Sequence, residues 1–209
     1  MQFDLTGADS ANAYRLLTST VVPRPIALVT SIDTNGSINA APFSFFNMVG
    51  SSPPVITLGV ANRGQGVAKE TRANIEREGE FVVNLVDEAL AEAMNICAID
   101  FPDGVSELPQ AGLTASASIT IRTPRIAEAP VSLECRLHSI VPIGDNRIVL
   151  AEVVHLHIRD EFVDLERMHV RTENLKLIGR MHGGGWYART TDLFDMPRIP
   201  YNDWLSGQQ

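Results

Sequence analysis

Arg63, Lys69 and Thr71 bring a guanidinium fork, an ammonium and a hydroxyl to the start of one helix-forming run, and that combination suits an anion. The unpaired N–H groups and positive dipole end of a helix already favour negative charge, and the two cations add charge-assisted hydrogen bonds. A phosphate fits such a set. From spacing alone the plainer alternative stays open, with Thr71 a cap or surface residue and both cations solvated. Glu70 is the acid usual in a first helical turn.

Other groups with chemical potential are less well placed. His155 and His157 stand two apart on a strand-like run and share a face, with His169 and His182 elsewhere, but no nearby carboxylate or cysteine pattern completes a metal site. Surface or interface histidines are the expectation. Gly183-Gly184-Gly185 lacks the preceding strand, the following helix and the spacing of a phosphate-binding glycine loop, and reads as a turn. Cys97 and Cys135 are too few for a disulfide framework and lack metal-ligand spacing, which predicts two reduced thiols. No G-x-S-x-G, H-E-x-x-H or cysteine with a convincing base is present, so no catalytic triad is visible.

The elements that must position these groups read as mainly β. Residues 26–32, the Asp33-Thr34-Asn35-Gly36 turn and residues 37–41 form a hairpin. Pro42 has no N–H for a ladder, so 43–47 reads as a loop. Strands are predicted at 55–61, 80–86, 113–122, 131–141 and 147–159, with the last two a long hairpin turning at Gly144-Asp145-Asn146. Helices are predicted at 8–18, 67–78 and 87–98, the last with Asp87 as N-cap, and one helical turn at 106–110 within a rim insertion. Together these elements read as a predominantly β chain with two or three helices, a closed or nearly closed barrel that hides its edges, although several strands are apolar on both faces and lack clean alternation.

A chain of 209 residues is within reach of one such domain, and 44% hydrophobic with 20% charged residues is ordinary globular composition. A net charge of −8 with dispersed cations argues against nucleic acid or an anionic membrane surface as partner. No apolar run approaches the about 20 residues of a membrane helix, and the first 13 residues show no signal pattern, so a cytoplasmic protein beginning near Met1 is expected.

The ordered series PRPIALVTS, an Asn-Gly hairpin, NAAPFSFFN, SSPPVI, KETRANI and EFVVN resembles the flavin reductase-like family of FMN-binding split barrels, over residues 22–188. The resemblance implies a single domain over 1–209 with its barrel core at 22–188 and a C-terminal extension at 189–209. It implies an FMN site: Thr30 and Ser31 toward the flavin edge, Pro42, Ser44 and Asn47 along the ring and ribityl chain, and Arg63, Lys69 and Thr71 on the phosphate. Gly179-Arg180…Gly184-Gly185-Trp186-Tyr187-Ala188-Arg189 resembles the family's loop that returns over the flavin. There His182 and Tyr187 are candidates to position a nicotinamide, with Arg189 for the donor's phosphates.

The activity implied is hydride transfer from NADH or NADPH to FMN, in a homodimer that could supply reduced flavin to a partner monooxygenase. A flavoprotein that keeps its FMN and reduces another acceptor, or a non-catalytic FMN-binding module, shares the same motifs and stays open.

Overall fold

The computed structural model describes residues 1–62, 68–102 and 104–206. Helix α1 (Ala13–Thr20) leads into strands β1 (Arg24–Pro25), β2 (Ala27–Ile32), β3 (Ile38–Phe43), β4 (Phe46–Ser51) and β5 (Pro54–Ala61). Helix α2 (Glu70–Glu78), strand β6 (Glu80–Leu85) and helices α3 (Ala91–Ile96) and α4 (Glu107–Gln110) follow. After the two-residue pair β7 (Ala115–Ser116) and β8 (Arg125–Ile126) comes the long hairpin β9 (Val131–Ile143) and β10 (Asn146–Ile158). A second two-residue pair, β11 (Val163–Asp164) and β12 (His169–Val170), helix α5 (Thr172–Leu175), strands β13 (Ile178–Arg180) and β14 (Tyr187–Arg189), and helix α6 (Tyr201–Ser206) complete the chain.

Seven strands form one antiparallel sheet in the order β3-β2-β6-β9-β10-β5-β4. The sheet curls, because Ala27, Val29 and Phe43 from one end pack into the same core as Ile56, Leu58 and Val60 from the other, around Phe81, Cys135 and Val149. The alternate residues Ile26, Leu28 and Ala40 face outward and are buried all the same, under Leu90, Met94, Cys97 and Leu108. Two covered faces explain why these strands lack clean polar alternation. Both cysteines are free and buried, and burial pushes each thiol up to about 12.

Three expectations need correction. Pro42 does not break the ladder: it pairs with Leu28 inside β3, an end strand of the sheet, where a missing N–H costs no ladder bond. The break is only Ser44-Phe45, after which Phe46 opens β4, and the Gly59 N–H reaches Phe45 O at 2.6 Å across the junction. The predicted strand at 113–122 is the third. Beyond Ser116 its backbone turns to a carboxylate instead of a neighbour strand, with Ile119 N and Thr120 N each donating to Glu134 at 2.7 Å and Ile121 N at 3.2 Å.

Glu134 is fully buried on β9 and also meets His157 Nε2 at 2.6 Å, so a carboxylate distant in sequence does stand beside the histidine pair. Burial alone would raise its pKa, but the N–H groups of Ile119 and Thr120 and the His157 ring outweigh that and hold it at about 2. Relative to an ordinary 4.5 in the unfolded chain, this stability is present above pH 4.5 and lost as the pH falls toward 2. The expected result is a melting temperature that drops through that window for the native chain. Glu134→Gln should lower stability near neutral pH by about 1.5–3 kcal/mol and flatten the acid limb. A thermal melt series from pH 6 to 2 on both chains checks it, and parallel acid limbs would count against the assignment.

Candidate functional site

The loop after β3 and the strand that returns after β13 meet at one pocket of about 240 Å³, lined by Ile26, Pro42, Phe43, Ser44, Met94, Asn95, Ala98, Arg180 and Tyr187. Its walls are mixed, with apolar surface from Ile26, Pro42, Phe43, Met94 and Ala98 and polar groups from Ser44, Asn95 and Arg180. Ser44 is held from behind by Arg24 Nε at 3.4 Å. Lys69, half-buried at the N-cap of α2, places Nζ 5.5 Å from the centre of the Phe43 ring. An aromatic wall, a hydroxyl and a flanking ammonium therefore share one end of the barrel.

Of the residues singled out from sequence, Pro42, Ser44 and Tyr187 are brought together here, with Lys69 alongside. Arg63 lies outside the described residues. The others have different surroundings. Thr30 is fully buried and its hydroxyl donates to Pro124 O at 2.7 Å. Ser31, also fully buried, accepts from Asn74 Nδ2 at 3.1 Å and lies 3.4 Å from Asn39 Oδ1.

Thr71 is 2% exposed and donates to Asn39 Oδ1 at 2.7 Å, so it is neither a cap nor a surface residue. Asn39 in turn donates to Glu107 Oε1 at 3.0 Å, and Glu107 Oε2 accepts from Ala40 N at 2.7 Å. Burial raises the Glu107 pKa, and the Ala40 N–H offsets this only in part. This network fixes α2 and α4 against β3.

Asn47 faces a different, larger cavity of about 590 Å³, shared with Arg24, Phe46, Met48, Leu156 and Ile178. His182 is exposed and packs edge-on to Trp186, with ring centres 5.7 Å apart. Arg189 is exposed and donates twice to Glu88 Oε1, at 2.8 and 2.5 Å, which raises its pKa and lowers that of Glu88. The residue that sequence reasoning passed over is Arg180. Its signal was present in the same Gly-Arg…Tyr-x-Arg segment, but nothing in the spacing distinguishes which arginine is paired.

Fold and site define an antiparallel β-barrel protein with a ring-sized pocket at one end and cations beside it. The flavin reductase like domain model matches residues 18–173, and this chain belongs to that family. It is similar to the 2-nitrobenzoate 2-nitroreductase of Pseudomonas fluorescens, at 38% identity and TM-score 0.87, covering 96% of this chain and 98% of that one. It is similar also to nitrilotriacetate monooxygenase component B from Bacillus cereus, at 32% identity and TM-score 0.89, covering 94% and 98%. A protein of Shewanella frigidimarina with a split barrel domain, 17% identical with TM-score 0.79 over 96% and 99%, shares the fold.

The geometry separates the two halves of the KETRANI motif. Lys69→Ala removes the cation beside the pocket, and the expected outcome is about tenfold weaker binding of a phosphate-bearing flavin. Thr71→Ala should leave that affinity within twofold and lower stability by about 1 kcal/mol, because it strips a partner from Asn39. Flavin fluorescence titration with thermal melts of the same samples measures both, and an affinity loss confined to Thr71→Ala would contradict the placement.

Proposed function

We propose that this chain is an FMN-dependent oxidoreductase that takes its electrons from NADH or NADPH. The observation that carries the reading is the pocket where Pro42, Phe43 and Ser44 meet Tyr187, with Lys69 at its side. The residues suit FMN: Ile26, Phe43, Met94 and Ala98 offer apolar surface to a flat ring, Ser44 a hydroxyl, and Lys69 a cation for the phosphate. When bound, FMN supplies the redox chemistry, accepting a hydride from a dihydronicotinamide and passing electrons onward.

The chain's own task is then to hold two rings in register and keep water from the reacting face, which needs no nucleophile. In this proposal Tyr187, in the pocket wall, steadies the second ring. His182 stands farther out on the same returning segment, in contact with exposed Trp186. Arg63 joins Lys69 in this proposal as a phosphate ligand on sequence grounds alone.

A pocket of about 240 Å³ is smaller than the about 300–1,000 Å³ that encloses a cofactor-sized ligand, which supports a site completed by a second copy. Exposed Tyr14, Leu17, Val21, Phe45, Met48 and Val49 leave apolar surface suited to a second copy. A homodimer follows as part of the proposal. Light scattering at micromolar protein should return about twice the 22.8 kDa chain mass, and the chain mass itself would count against the dimer.

The monooxygenase-component relative supports delivery of reduced flavin to a partner enzyme. The nitroreductase relative favours a second reading, in which this chain keeps its FMN and reduces a small organic acceptor directly. Oxidation of NADH and NADPH, followed with and without added FMN and then with a nitroaromatic acceptor, tests both. Turnover should require flavin, and no oxidation of either nucleotide at saturating FMN would reject the oxidoreductase reading. Tyr187→Ala should slow reduction of the loaded protein by about 10- to 100-fold with FMN affinity nearly unchanged, while His182→Ala changes the rate less.

A further inference from the structure

We infer that Arg180 is an oxyanion-binding residue of this site, taking the carboxylate or phosphate of the small ring-bearing molecule that exchanges electrons there. The inference rests on the function proposed above and adds the recognition element for the second molecule.

Arg24 on β1, Arg180 on β13 and Tyr187 on β14 stand in register across a three-stranded sheet. Gly179 permits the close packing of β13 beside Pro23, since a Cβ there would come within 2.7 Å of the proline Cβ. Two guanidinium groups are thereby set on neighbouring strands with no carboxylate paired to either among the described residues. Arg24 is 8% exposed and is satisfied by neutral acceptors: Thr18 O at 2.7 Å, Val21 O and Met181 O at 2.8 Å, and Ser44 Oγ at 3.4 Å. Burial lowers its pKa, Tyr14 opposes that, and the Arg180 charge pushes the same way as burial.

Arg180 differs from Arg24 in that its side chain has no such acceptors among the described residues. It is half-buried, it lines the pocket with Pro42 and Ser44, and its partner among the described residues is the face of the Tyr187 ring, 4.7 Å from the guanidinium carbon. A ring contact of this kind occupies the flat face of the guanidinium and leaves its in-plane N–H fork available. A fork of that geometry matches two oxygens of a carboxylate or phosphate, and a second cation behind it strengthens the pull. The nearby alternative is already used, because Arg189 is paired with Glu88.

The test compares the full chain with Arg180→Gln and Arg180→Lys in four measurements: FMN affinity, melting temperature, affinity for benzoate against benzamide, and affinity for NADH against reduced nicotinamide mononucleotide. Arg180→Gln should weaken benzoate or the reduced nucleotides by about tenfold, with partial recovery in Arg180→Lys, a clearly smaller change in FMN affinity, and no fall in melting temperature. Loss of benzoate alone identifies a carboxylate, and loss of the nucleotides alone identifies a donor phosphate. Equal affinities for all of them in the variant would overturn the proposal. So would a parallel loss of FMN, which makes Arg180 a flavin ligand, or a lowered melting temperature with intact binding, which makes it structural. Benzoate is titrated on flavin-free protein as well, so a native chain that binds no FMN would reject the proposed function while the anion test still stands.

Discussion

The buried Arg24 guanidinium is the contact on which the site's architecture depends. Its N–H groups reach Thr18 O and Val21 O at the end of α1 and Met181 O in the returning segment, and its Nε faces Ser44. The last carbonyls of a helix have no intrahelical donors and carry partial negative charge, so they accommodate a cation without a carboxylate. One side chain thus joins the entry helix, the loop after β3 and the C-terminal return. Loss of its donors would leave several carbonyls unsatisfied and release both walls of the pocket.

Around that clamp, buried polar groups fix what apolar packing alone would leave free to slide. The Asn39 amide joins Thr71 of α2 to Glu107 of α4. Asn84 donates to Leu28 O at 3.0 Å and accepts from Ile126 N and the Ser132 hydroxyl at 2.9 Å each. Each network is supported by backbone or side-chain partners on several elements, which sets register as well as stability. Several polar residues of the motif stretch therefore serve the scaffold, whereas Ser44, Arg180 and Tyr187 line the pocket and Lys69 stands over the Phe43 ring.

Exposure follows the same division. The barrel interior and its outer helical cover are closed, whereas α1, the β4 surface and the tail residues Leu193, Phe194, Met196 and Ile199 leave large apolar side chains in solvent. No helix is long and apolar enough to cross a membrane among the described residues.

What the sequence by itself determined was local: the Asn-Gly hairpin, the 131–158 hairpin, the helix after Lys69 and the ordered motifs that carry the family resemblance. These follow from turn chemistry and apolar runs, which act between near neighbours. Tertiary structure decided the rest. Pro42 stays in its strand because β3 is an end strand of the sheet, and residues 119–121 are no strand because a buried carboxylate on β9 takes their N–H groups. Thr71 points to Asn39, Arg189 to Glu88, and Arg180 to an open pocket, although all three are polar residues beside recognisable motifs. Pairing depends on partners 13 to 101 residues away in the chain, and a distance of that kind is set by packing and has no trace in spacing.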